Sequence, residues 1–353
     1  MKTIYKMKIK NTILILLMGL MALPAAGQDI HFSQFYASPL TLNPAMTGLM
    51  SGCYRGAVNY RNQYPELYSY STVAASFDAA LARGLVGKND FIGAGLQLYN
   101  DRQGNGSLND FSVLASAAYH KSLHPQGKVL FSIGAQGGIV NKSINFQDLT
   151  FASQLDGNEF NVNLPNGERI ETNQFTYFDL RVGGIISANV SKQLGVFGGF
   201  SYFHITKPEE RFLMQDVGAE VNVLDPRLVG HFGAKITPND NVSITPNFIY
   251  MTQAGAQTMV AGANLGYFFD GTAKRGGGTA VYIGGSYRLN DAIIALVGAE
   301  FDDFKFGISY DVNVSDLKTA SLGQGGVELS LGYEIGCEPQ GRRGYPPVSC
   351  PRF

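Results

Sequence analysis

The sequence predicts an all-β fold, a transmembrane antiparallel β-barrel of about fourteen strands, within roughly twelve to sixteen. Three observations carry this. Apolar and polar residues alternate with period two over segments of about ten residues, the length of a tilted membrane strand. Only 16% of the residues are charged, against ~25% in an ordinary soluble domain, so water is not the expected solvent of much of this surface. The longest connections also fall at one end of an up-and-down arrangement, as in barrels with short periplasmic turns and long outer loops.

Composition excludes several alternatives. The 43 glycines are spread through strand-like segments without a Gly-X-Y period, which rules out collagen and a flexible linker. Apart from residues 13–26, no apolar run approaches the ~20 residues of a membrane helix, which rules out a polytopic helical transporter. With 27 Lys plus Arg against 28 Asp plus Glu, a net charge of −1 and no basic cluster, nucleic acid is not expected as a partner.

Taken in order, residues 1–27 read as a secretory signal peptide. Lys2, Lys6, Lys8 and Lys10 precede an apolar stretch from Ile13 to Leu23, and Ala25-Ala26-Gly27 supplies small residues for a cut before Gln28. Export toward the outer membrane, as an integral protein, is the expected localisation. Removing four lysines and no acids lowers the net charge of −1 by four, so the mature chain is mildly acidic.

Residues 28–51 are aromatic and apolar yet neither helical nor alternating, with Pro39 and an Asn43-Pro44 turn. They are expected to pack on or in the barrel as a plug-like segment. Inward positions such as Gly134, Gly138, Gly284, Gly307 and Gly332 leave room, and a barrel of this size needs filler.

The barrel is expected over residues 52–336, from a first strand near 52–62 to a last near 325–336. Val327-Glu328-Leu329-Ser330-Leu331-Gly332-Tyr333-Glu334-Ile335 shows the pattern: Val, Leu, Leu, Tyr and Ile on one face, Glu, Ser, Gly and Glu on the other. A soluble β-sandwich would have shorter strands and a more charged face. Its inward positions read as small and weakly charged, which argues against an open diffusion pore. Tyr and Phe must supply the interfacial aromatic belt, because the sequence has no Trp.

If the first strand rises from the periplasm, the two longest connections, near 142–174 and 205–226, lie outside and both ends of the mature chain lie in the periplasm. These loops exceed the ~12–15 residues beyond which an unstructured loop is uncommon unless functional or disordered. They mix apolar Phe146, Phe151, Phe160 and Phe212 with Asp156, Glu159, Arg211 and Glu210, the composition of an interface with an apolar centre and a polar rim. The alternative is a lid folded over the barrel mouth.

Residues 337–353 form a C-terminal periplasmic tail. In an oxidising compartment Cys337 and Cys350 could close it as a disulfide loop, leaving Cys53 over. Metal binding is the weaker alternative, since neither CxxC nor paired His accompanies these thiols. Of the five histidines, His31, His204 and His231 are isolated, and His120 and His124 sit four apart at a strand end, where that spacing has no helical meaning and the pair reads as ordinary turn histidines. Neither a GxSxG elbow nor a phosphate-cradling glycine loop in a strand–loop–helix setting is found. No catalysis, metal or cofactor is expected.

The run Phe32-Ser33-Gln34-Phe35-Tyr36, followed by Leu42-Asn43-Pro44-Ala45-Met46-Thr47-Gly48, resembles the opening of the PorP/SprF family of outer-membrane proteins in Bacteroidota type IX secretion and gliding. The likeness continues through Tyr60-Arg61-Asn62-Gln63-Tyr64-Pro65, Ser309-Tyr310-Asp311-Val312-Asn313, Gly325-Gly326-Val327-Glu328-Leu329 and the closing Cys350-Pro351-Arg352-Phe353. Tyr64 departs from it, as Trp stands there in many relatives. The resemblance implies a non-enzymatic barrel for export, display or anchoring. An SprF-like member accompanies a large adhesin-like surface protein, engaging its C-terminal domain. A PorP-like member links the secretion machinery to a periplasmic peptidoglycan-associated partner. The long outer loops favour the first. A porin or hydrophobic-substrate channel is the further alternative.

Overall fold

The computed structural model describes residues 29–336 except 65–69, 84, 88, 105–107, 158, 162, 215–221 and 274–277. The expected signal peptide and the C-terminal tail lie outside the described residues.

Fourteen strands close into one antiparallel barrel. In chain order they are β1 (Tyr54–Gln63), β2 (Tyr70–Leu81), β3 (Phe91–Gln103), β4 (Leu108–Ser122), β5 (Val129–Ile144), β6 (Gln174–Asn189) and β7 (Leu194–Phe203). Then follow β8 (Arg227–Ile236), β9 (Val242–Gln253), β10 (Ala256–Phe268), β11 (Ala280–Arg288), β12 (Ala292–Phe301), β13 (Phe304–Asn313) and β14 (Gln324–Ile335). Each pairs with its chain neighbours, and β1 closes on β14 from Tyr54 opposite Ile335 to Gln63 opposite Gly326.

The alternation has the expected physical sense. In β14, Val327, Leu329, Leu331, Tyr333 and Ile335 point outward and are exposed, whereas Glu328 and Ser330 point inward and are buried. An exposed apolar band around a whole barrel suits lipid as the outer solvent. Aromatic rings gather near strand ends, with Tyr54 stacked on Phe77 and Phe304 against both Phe306 and Tyr333. Tyr and Phe thus stand where a Trp-free chain must place its interfacial rings.

The interior is filled by residues 29–50. Two 3-10 turns, Phe35–Ala37 and Pro44–Met46, flank a single α-turn, α1 (Pro39–Leu42). Leu40, Ala45, Met46 and Leu49 have no exposed surface. Phe35, Tyr36, Leu42, Met46 and Leu49 form one core with Phe91, Leu130, Ile185, Phe197, Phe203 and Ile249 of the wall. Each large side chain buried this way contributes about 1.5–3 kcal/mol, so the segment is part of the core.

The end carrying the two longest connections, 145–173 and 204–226, is called the outer mouth below, following the rule for such barrels. Parity does not sort every loop: Ala254-Gly255 makes a two-residue turn at the outer mouth, whereas 82–90 and 269–279 at the inner rim are longer. The φ values of +48° and +82° at Ala254 and Gly255 are those of the tight hairpin turn whose twist matches its strands.

Three expectations are corrected. First, the start of the plug at Asp29 is not at the inner rim. The Asp29 backbone N–H donates to Oε1 of Gln253, at the outer end of β9, while the Gly52 N–H donates to Oε1 of Glu334 near the inner end of β14. Residues 29–52 therefore run down the lumen from the outer mouth to the inner rim. Second, Cys53 is disulfide-bonded. Cys53 is therefore not left over as expected, and the expected Cys337–Cys350 pairing lies outside the described residues. Third, the interior is not weakly charged: Arg55, Arg61, Asp78, Asp179, Arg181, Arg227, Arg288, Asp311 and Glu328 all face it, paired with one another or with the plug.

Candidate functional site: the plug seat and the outer loops

The plug is gripped at three levels, mostly by wall side chains bonding its backbone. Near the outer mouth, Glu328 accepts the N–H of Ser33 at 2.7 Å and of Gln34 at 2.8 Å. Arg61 bridges Glu328 (3.0 Å) and Asp311 (3.1 Å), and Arg288 reaches Asp311 at 2.6 Å. The Ser33 hydroxyl sits within this network and donates to Asp311. Gln34 extends it, donating to Oγ of Ser309 and accepting from Oγ of Ser330. A polar segment can lie in a barrel interior only if such groups are satisfied, and the wall supplies the partners.

Midway, the Asn43 side chain accepts the Ala45 N–H at 2.9 Å, fixing the turn, and its Nδ2 donates to the carbonyls of Gly184 and Phe200. Nδ2 also meets His231 Nε2 at 3.1 Å. Glycines make the space: a Cβ on Gly183 would lie 2.0 Å from Asn43 Oδ1, and one on Gly134 would lie 2.5 Å from the Pro44 carbonyl oxygen. Tyr36 packs edge-on against Phe197 and His231.

At the inner rim, Asp78 accepts the Gly48 N–H at 2.6 Å and pairs with Arg55, whose Nη2 also donates to the Met46 carbonyl. His120 Nε2 bonds the Thr47 carbonyl at 2.8 Å while its Nδ1 meets Ser132. Gly48 has φ +74°, and a Cβ there would come within 2.6 Å of Gly93 Cα. Glycine is required at this position on both counts.

Of the motif residues, Gln34, Phe35, Tyr36, Asn43, Pro44, Gly48 and Arg61 thus come together in the lumen. Asn62 and Gln63 lie at the outer end of β1, paired in the ladder with Val327 and Gly326 of β14. The histidines are a correction: His120 and His231 are buried strand residues that seat the plug, and His204, at the turn after β7, is buried against it as well. Sequence reasoning also left out Arg55, Asp78, Arg288, Asp179, Arg181 and Arg227 as seat residues. The available signal was a charge on the inward phase of an alternating strand. No cluster of metal-ligand type exists among the described residues.

The outer loops are built against each other. Phe212 packs on Phe146 and Phe175, with ring centroids 6.4 and 4.7 Å apart, and Ile170 pairs with Leu213 in a β-bridge. Arg211 pairs with Glu209, and Glu210 pairs with Lys142 of β5. Phe151 is half-buried and begins a 3-10 turn, Ala152–Gln154. Phe160 stands exposed on a small ladder of Leu155–Asp156 with Glu159–Phe160. Phe146 and Phe212 therefore hold the loops together, while Leu155, Phe160, Leu213, Met214 and Val223 are exposed.

A cavity of about 20 Å³ lies between the plug and the wall, lined by Gln34, Tyr36, Asn247, Asn264 and Ser286. That is room for about one water molecule.

The fold is similar to that of the Ralstonia pickettii toluene transporter TbuX, at 11% identity and a TM-score of 0.47, covering 86% of this chain and 94% of that one. It is similar to the P. putida toluene transporter TodX at 9% identity and a TM-score of 0.45, covering 84% and 93%. The translocator domain of the autotransporter NalP from Neisseria meningitidis is similar at 16% identity and a TM-score of 0.35, covering 80% and 88%. No curated protein matches the chain. The sequence matches the type IX secretion system membrane proteins PorP/SprF over residues 25–333, nearly the whole described barrel with its plug. The chain is a member of the PorP/SprF family, a membrane β-barrel of type IX secretion.

Proposed function

We propose that this barrel works without catalysis in the outer membrane, assisting the export, display or anchoring of a large type IX-exported surface protein in the SprF-like manner. The observation that carries the reading is the plug. A lumen filled from outer mouth to inner rim leaves little for a passive channel to use, and the remaining large feature is the joined outer loops. These loops expose Leu155, Phe160, Leu213 and Met214 and also carry the charged pair Glu209 and Arg211, a mixture that suits an interface with an apolar centre and polar rim. On this reading the partner, through its C-terminal domain, docks on Phe151, Phe160 and the flanking residues, while Phe146, Arg211 and Phe212 shape the platform.

The PorP-like reading has one observation of its own. Leu85 and Val86 are exposed in the 82–90 connection at the inner rim, where a periplasmic peptidoglycan-associated component would bind. One experiment separates the two. Each outer loop is shortened to a Gly-Ser turn, and in a third variant Leu85 and Val86 become Ser; surface display of the partner is measured by labelling and the barrel level checked. Lost display in the loop variants at normal barrel level supports docking outside. Unchanged display in both loop variants overturns it, and loss only in the third moves the partner to the inner rim.

A further inference from the structure

Asp29 occupies a site that the barrel wall builds independently of it. Its carboxylate accepts a hydrogen bond from His204 Nε2 and lies 3.6 Å from Arg227 Nε. Behind these, Asp179, with no exposed side-chain surface, holds His204 Nδ1 at 3.0 Å and Arg181 Nε at 2.7 Å. Phe203 carries both guanidinium groups over its ring, at 4.2 Å for Arg227 and 5.3 Å for Arg181. Tyr99 accepts from Arg181 Nη2 at 3.2 Å. None of these supports comes from the plug, so His204 and Arg181 keep their wall hydrogen bonds when Asp29 leaves, and Arg227 keeps its place over the Phe203 ring.

The local charge calls for an anion. Asp179 is the wall carboxylate in contact with His204 and Arg181, and Asp110, itself paired with Lys142, acts on Arg181 and Asp29 from farther off. Burial opposes charge on His204, but Asp29 and Asp179 outweigh it and hold its pKa above the ordinary histidine value. Burial likewise opposes ionisation of Asp29, and His204 and Arg227 outweigh that, keeping its carboxyl below the usual range. With Asp29 seated the site is charged and oriented, and His204 has φ +58° where it opens the turn in which its carbonyl accepts the Lys207 N–H.

The cradle is also incompletely used. Arg227 Nε at 3.6 Å is beyond hydrogen-bond length. Neither it nor His31 Nε2 has a hydrogen-bond partner among the described residues, and Arg227 is only 5% exposed. Arg227 Nη1 donates to the Ile30 carbonyl at 2.7 Å, so withdrawal of residues 29 and 30 frees Nε and Nη1 together. The Asp29 side chain keeps 20% of its surface, and a cavity of about 10 Å³ bounded by Asp29, His31, Arg227 and Gln253 adjoins it. The occupant can be reached from the mouth. Exchanging one buried carboxylate for another costs little net free energy, whereas leaving the cations without one is costly.

We propose that His204, Arg227 and Arg181 form a carboxylate-binding site at the outer mouth, filled at rest by the plug's own Asp29 and open to a carboxylate of an arriving polypeptide in exchange. The site itself follows from the wall geometry; the polypeptide as source rests on the display reading above. Exchange would loosen the first residues of the plug when, and only when, a partner is present.

Chemical rescue tests this with the full chain in detergent. Asp29→Gly and Asp29→Asn are compared with the parent protein by the temperature at which the folded, fast-migrating band converts on gels. Both variants are expected to convert about 2–4 °C lower. Sodium acetate should restore most of that shift in Asp29→Gly, equimolar sodium chloride should not, and acetate should do nothing for Asp29→Gly combined with Arg227→Gln. A short acidic peptide rescuing at a tenfold lower concentration than acetate supports a polypeptide source. Rescue by acetate alone keeps the site but overturns that source. An Asp29→Asn variant as stable as the parent, or a folded Asp29→Gly that neither probe rescues, overturns the site. Display with shortened outer loops is scored separately, so failure of the display reading leaves this measurement standing.

Discussion

At the scale of single residues, position in the lumen decides what a charge is worth. Arg55 and Asp78 pair at 2.7 Å with side-chain exposures of 13% and 0%, and Asp78 also holds the Gly48 N–H. Asp78→Ala leaves a buried guanidinium and a buried donor uncompensated, a loss of about 3–5 kcal/mol. Asp78→Asn keeps an acceptor for Gly48 and should lose less. The Arg211–Glu209 pair is as short but 39% and 56% exposed, so Glu209→Ala should change stability by less than about 1 kcal/mol. Denaturant midpoints of the refolded variants measure both. Equal losses from Asp78→Ala and Glu209→Ala would mean that the lumen near the inner rim is wet. The residue scale is also where the sequence was least legible. His120, His231 and His204 find their partners 73, 188 and 175 positions away, and Arg61 meets Asp311 across 250. Each looks isolated along the chain because its environment is assembled only when the barrel closes.

At the scale of elements, the strands were legible because a two-faced wall imprints its two solvents on every second residue. Phe304, Phe306, Ile308, Tyr310 and Val312 of β13 all face outward as the alternation predicts. The plug was legible only in part. Prolines and aromatics marked residues 28–51 as neither strand nor helix, and inward glycines marked a space, but their direction of travel was not written in either pattern. What fixes direction is the match between ends: Ser33 and Gln34 to Glu328 outside, Gly48 to Asp78 inside. Because the buried segment fills the lumen, its removal should open a path. Deleting residues 29–50 is expected to raise single-channel conductance in planar bilayers well above that of the full chain. Equal conductance would show that wall side chains or the outer loops still close the bore.

At the scale of the whole molecule, a barrel has one seam that sequence order cannot help to close, because its first and last strands are the farthest apart. Here β1 and β14 pair along the full length of β1, and Cys53 stands just before the first pair, its N–H donating to the Ile335 carbonyl at 2.8 Å. The spacing of cysteines favours the near pair, Cys337 with Cys350, since chain proximity is the only geometry in a sequence; a disulfide-bonded Cys53 beside the closing seam favours a bond across that seam instead. Cys337 follows Ile335 by two positions and Cys350 by fifteen, so Cys53 is expected to bond Cys337 and staple the seam at the inner rim. A bond enclosing nearly the whole barrel is worth on the order of 5 kcal/mol in the chain-entropy model. Peptide mapping of the unreduced protein should return a Cys53–Cys337 cross-link, and reduction should lower the temperature of heat-modifiable conversion in the same sample. A Cys53–Cys350 cross-link would instead place the tail's far end at the seam, and an unchanged conversion temperature after complete reduction would show that strand pairing alone carries the closure.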